Sequence, residues 1–144
     1  MGNRAVIIQS GSNKAVYLHW NGGRDSIEPL LYYAKNFATF ASISESPKAL
    51  NTFALVCDCV GLNPYITQMD RADKDNGDHG VYYIDENYKI TGRAFNERNE
   101  QREYNFNEFI LWIDDNMPKS KQRGKEHIES TIAKDTTLTS KENN

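Results

Sequence analysis

Cysteine is scarce in this chain of 144 residues: Cys57 and Cys59 stand two apart, a spacing that fits neither a CxxC redox pair nor a zinc site. They read as reduced core thiols. Long apolar runs are missing too, and the opening MGNRAVIIQ is too short in apolar residues for a signal peptide or a membrane span. The expectation is a cytoplasmic protein with no membrane contact. Basic excess is also lacking. Residues 1–118 carry 11 Lys/Arg against 16 Asp/Glu, a net of −5, whereas a protein that grips a nucleic-acid backbone usually presents a basic stripe. An acidic body is better suited to solubility, or to blocking a basic groove.

What the chain does have is aromatic bulk, with eight Tyr, six Phe and two Trp, and 38% hydrophobic residues, which suffices for one folded core at this length. We expect a single domain over residues 1–118. From 119 to 144 the chain holds two isoleucines and one leucine without periodicity, which predicts a polar, disordered C-terminal tail.

RAVIIQ (4–9) and KAVYLHW (14–20) flank SGSN and predict a hairpin, with Val16, Leu18 and Trp20 sharing the core face by strand alternation. Ser26 as N-cap with Pro29 in the first turn predicts a helix over 27–41, and Ser46-Pro47 one over 47–60 that Gly61 ends. YITQM (65–69), GVYYID (80–85) and YKITGRAF (88–95) predict strands, the last two joined by a tight turn at Glu86-Asn87. Asn105 with Glu108 starts a last helix that Pro118 stops. The predicted fold is α+β, order ββααβββα, with a mainly antiparallel sheet and helices packed on at least one face.

Asp70, Asp73, Asp75 and Asp78 crowd one loop, yet a calcium loop begun at Asp73 would place Gly77 fifth and Ile84 twelfth, which breaks the EF-hand register. A solvated turn is expected instead. His19, His79 and His127 have no metal-site spacing, and no nucleophile motif is present, so no metal is assigned. The strongest local signal is His19 with Asn21, Gly22, Gly23, Arg24 and Asp25. Two glycines permit close backbone approach, a helix N-terminus follows, and Arg24 can pair with phosphate or carboxylate. The same residues also suit a plain chain reversal, and Asp25 opposes an anion. Arg93 and Glu100-Gln101 form a second polar cluster, and a meeting of Arg93 with Arg24 at a sheet edge would favour a binding site over a turn.

GNRAVI, YLHWNGGRDSIE, DNGDHGVYYI, ITGRAF and EQREY, in that order over residues 2–116, resemble a family of small proteins carried by plasmids, conjugative elements and prophages. Within mobile-element cargo the chain is similar to broad-spectrum anti-CRISPR proteins directed at the type II effector nuclease. The resemblance implies an anti-defence protein whose partner is a CRISPR effector protein or its guide RNA. It needs no cofactor if it acts by occlusion. Two alternatives stand beside it: a small nuclease trimming guide RNA with Mg²⁺ held by clustered carboxylates, and a nucleotide sponge at NGGRDS.

Overall fold

The computed structural model describes residues 2–38, 45–95 and 105–135. Its strands are β1 (Ala5–Gln9), β2 (Lys14–Leu18), β3 (Tyr65–Gln68), β4 (Val81–Ile84) and β5 (Ile90–Ala94). Its helices are α1 (Arg24–Asn36), α2 (Lys48–Cys59), α3 (Phe106–Asp115) and α4 (Lys125–Lys134). The fold is α+β.

The five strands form one sheet in the order β3-β2-β1-β4-β5. Hairpins β1–β2 and β4–β5 and the pair β2–β3 are antiparallel, but β1 and β4 run parallel at the centre, Val6 opposite Val81. The sheet is therefore mixed, not mainly antiparallel as the sequence suggested. Local patterns fix strands and hairpins, whereas the β1–β4 pairing is made between segments far apart in the chain and leaves no period to read.

Alternation then divides the sheet into two faces. Ala5, Ile7, Val16, Leu18, Tyr82 and Ile84 point to the side where α1–α4 pack, with Leu30, Tyr33, Phe37, Leu50 and Phe53 fully buried among them. Val6, Ile8, Ala15 and Val81 point the other way and are covered by Tyr17, Met69, Ala72 and Tyr83.

The observed order, ββααβββαα, departs from the expected one by a helix in the supposed tail. α4 buries Ile128 and Ile132 in the main core, because four-residue spacing sets both on one helix face. Asp114 anchors its start: the buried carboxylate accepts the Tyr33 hydroxyl at 2.6 Å and the N–H groups of Arg123 and Gly124 at 2.8 and 3.0 Å. Two isoleucines looked too few to order a tail, but they close a core already built. Residues 136–144 lie outside the described residues.

Helix ends also shift. Gly23, not Ser26, caps α1, so Ser26 is buried within the helix and Pro29 falls in its second turn. Pro47, not Ser46, caps α2, and α2 closes as expected at Gly61: the Gly61 N–H donates to Asp58 and the Leu62 N–H to Cys57, a Schellman end.

Candidate functional site

Strand directions bring the N-terminus of β1, the C-terminus of β2, the start of β4 and the end of β5 to one end of the sheet, and the NGGRDS segment lies there. β2 pairing stops at Leu18 opposite Ala5, so strand alternation stops with it. Asn21 then turns the chain through a left-handed φ of 61°. Trp20 is thereby expelled from the core face where the sequence placed it and stands 53% exposed. Its ring meets His19 edge to face at 5.0 Å, and His19 Nδ1 is hydrogen-bonded to the Tyr17 hydroxyl at 3.0 Å.

The glycines serve the fold here. A side chain on Gly22 would lie 2.4 Å from the Asn3 carbonyl and 2.8 Å from Ala5 Cβ, so its bareness accommodates the N-terminal strand, not a ligand. The Gly22 N–H donates to that Asn3 carbonyl at 2.8 Å, and the Gly22 carbonyl accepts the buried Tyr82 hydroxyl at 2.7 Å.

Arg24, at the first position of α1, forms an ion pair with Glu28 one turn on, at 2.6 Å. This offsets the unfavourable placement of a cation at a helix N-terminus. Asp25 supplies the acidic residue of the first turn. Arg93 lies over the Tyr82 ring, 3.7 Å from its centroid, and donates from Nε to the Val81 carbonyl at 3.1 Å and from Nη2 to the His79 carbonyl. The contacts described for Arg24 and for Arg93 have no partner in common, and Tyr82, under Arg93 and bonded to the Gly22 carbonyl, links their neighbourhoods. Glu100 and Gln101 lie outside the described residues.

Sequence reading missed the order in the acidic loop. Asn76 is 3% exposed: its amide donates to the Asp73 and Gly80 carbonyls, and its Oδ1 accepts the N–H groups of Asp78 and Gly80, all at 3.1 Å. Gly77 takes the expected positive φ, while Asn76 is instead the loop's polar hub. Asp78 pairs with Arg4 at 2.7 Å and also accepts the Arg4 N–H, so the Arg4 contact holds its carboxyl below the usual range. His79 is buried and hydrogen-bonded to Asn3 Oδ1. Gly80 lies so close to β5 that an added Cβ would fall 1.6 Å from the Phe95 carbonyl. The only local signal for all this was the Asn-Gly pair.

On the face away from the helices, Tyr17 stands opposite Tyr65, which is 65% exposed, so Tyr65, Tyr17, His19 and Trp20 form an aromatic strip. The acidic loop borders it. Desolvation raises the Tyr17 phenol, and the nearby Asp73 and Asp78 carboxylates raise it further, against an opposing effect of Arg4. Asp70, Asp73 and Asp75 are exposed.

At the opposite end of the sheet a polar cleft of about 740 Å³ is lined by Gln9, Ser12, Lys14, Lys48 and Asn87 among others. Gln9 already occupies the adjacent α2 N-terminus by accepting the Leu50 N–H at 3.0 Å. Among the described residues, no group of three His, Cys, Asp or Glu side chains could hold a metal ion. Nor is any described helix long and apolar enough to cross a membrane. The class that these features define is an α+β protein with a mixed sheet, a helix-covered face, and an acidic, aromatic opposite face. No protein-family model, curated protein or solved structure matches the chain.

Proposed function

We propose that this protein is an anti-defence inhibitor of a mobile genetic element, acting in the bacterial cytoplasm on a type II CRISPR effector nuclease by occlusion of an arginine-rich nucleic-acid channel. The observation that carries the reading is the line of exposed Tyr65, His19 and Trp20 around the half-buried Tyr17, with the Asp73 and Asp78 carboxylates of the acidic loop near the Tyr17 phenol. Arginine suits such a surface: its guanidinium stacks on aromatic faces and pairs with carboxylates, and a channel built for nucleic acid supplies many of them. The net charge of −5 over residues 1–118 adds long-range attraction that salt screens. The resemblance of the NGGRDS and GNRAVI segments to mobile-element proteins points the same way. Arg24, Asp25 and Arg93 serve in this reading to hold the end of the sheet that presents the strip.

The test is inhibition of guided DNA cleavage by purified effector, over a salt series, with the guide RNA recovered and sized. Occlusion predicts blocked cleavage, intact guide RNA and inhibition that weakens as salt rises. Trp20→Ala should cost no more than about 1–2 kcal/mol of stability, since about half of the side chain is already exposed, and weaken inhibition about tenfold or more. Guide RNA shortened in an EDTA-sensitive way would replace occlusion by nuclease action. A nucleotide retained through purification would replace it by sequestration, and unimpaired cleavage would remove the effector as target.

A further inference from the structure

β3 ends the sheet, and its outer edge is unusually bare for one. The strand YITQ has no charge and no bulge, and Ile66 is 52% exposed at its centre. Natural edge strands are commonly protected from further pairing by lysines, prolines or bulges, and here only Pro64, just before the strand, could serve.

The ladder fixes which backbone groups point outward. The Met69 N–H donates to the Asn13 carbonyl, in line with the β2–β3 register, so the bonded pairs continue as Ala15 with Thr67 and Tyr17 with Tyr65. The N–H and C=O of Ile66 and Gln68 therefore face away from β2.

We infer that β3 is a homodimerisation edge, which pairs antiparallel with β3 of a second copy about a two-fold axis through Ile66. This inference is independent of the proposed function. Self-pairing centred on Ile66 uses every outward N–H of the strand and leaves the Gln68 carbonyl, which faces the Pro64 nitrogen, to solvent. Ile66 exchanges N–H···O=C bonds with its own copy, and each Gln68 N–H reaches the Pro64 carbonyl of the other chain, where only an acceptor is available. The faces also match. Ile66 meets Ile66 on the helix side, Tyr65 meets Thr67 on the other, and the two five-stranded sheets become one. Charge favours the arrangement as well: the antiparallel register carries each Asp70, where the acidic loop starts, beyond Leu62 of the other copy, so the two Asp70 residues lie at opposite ends of the paired strands.

Sedimentation of the full chain from sub-micromolar to high-micromolar concentration should show a monomer–dimer equilibrium. In the dimer the Ile66 and Gln68 amides should exchange hydrogen slowly, as a function of protein concentration. Ile66→Lys sets two like charges opposite each other at an exposed position, and should raise the dimer Kd about tenfold or more with the melting point kept. Gln68→Pro removes one outward donor at a φ of −83°, close to the proline range, and should weaken the dimer without unfolding the chain. A substitution at an exposed apolar side chain away from β3, Trp112→Lys, should leave the dimer intact. A chain that stays monomeric throughout, a dimer insensitive to Ile66→Lys, or fast exchange at Ile66 in the dimer would each overturn the assignment.

Discussion

On the helix side of the sheet, burial is continuous from Ile7 and Tyr82 through Phe37 and Phe53 to Ile128, and its polar groups, Tyr33 and Asp114, are paired inside it. On the other side the apolar cluster has four buried members, and a loop held by Asn76 and the Arg4–Asp78 pair does the covering. One face is sealed by hydrophobic area, the other by hydrogen bonds. Stability should therefore concentrate on the first, while the second keeps aromatic rings and carboxylates available to a partner.

The sharpest way to break this contrast is Ile128→Ala, which opens the helix face at a side chain with no exposure. A loss of about 2–5 kcal/mol is expected by chemical denaturation. An unchanged midpoint would mean that α4 is an ornament and that the sealed face ends at α3.

Tyr33→Phe probes the polar knot within that face and should cost about 1–3 kcal/mol, because Asp114 loses a partner while remaining buried. Burial, then the Asp114 contact, raises the Tyr33 phenol far above its ordinary value. A raised phenol contributes stability that is complete below the ordinary tyrosine pKa of about 10 and is lost as pH climbs towards the folded value. Melting curves should thus fall in alkali for the natural chain, and less steeply for Tyr33→Phe.

Asn76→Ala tests the other face. It strands the Gly80 N–H and should cost about 1–2 kcal/mol. Hydrogen exchange should accelerate in residues 69–80 before the helices respond, and a loss of protection spread evenly over both faces would erase the distinction. The smallest effect is expected at Arg24→Ala, which removes a half-buried helical ion pair with Glu28 and should cost about 1 kcal/mol or less. A melting point nearly unchanged with full inhibition would assign NGGRDS to architecture; lost inhibition would assign Arg24 to the partner surface.

Sequence reading recovered what is local. The β1–β2 hairpin, the α2 stripe ending at Gly61, and the strands around Tyr65, Val81 and Ile90 all follow from period and punctuation. It failed where a residue's role depends on distant chain. Trp20 obeys alternation only as far as β2 keeps its partner. Ile128 counts as core only because α1 and α3 leave it a place. Gly22 looks like a turn glycine, yet it is small because β1 passes within contact distance, and Gly80, read as the start of a strand, combines a φ of +61° with crowding from the end of β5. Arg93 offered the same lesson, since no pattern tells that its charge rests on a tyrosine ring.

The parallel pairing of β1 with β4 bears on how the chain reaches this state. β1 finds β2 across a short loop but meets β4 only after closing a long one, as the separation of 74 positions between Arg4 and Asp78 records. Closing such a loop costs chain entropy before any contact rewards it, so the β1–β2 hairpin should assemble early and β4–β5 should dock late. Mutations in β2 would then slow refolding, while those at Val81 or Tyr82 would mainly speed unfolding. The end of the sheet that carries NGGRDS, tied to Tyr82 through the Gly22 carbonyl, would be among the last parts of the molecule to take its final form.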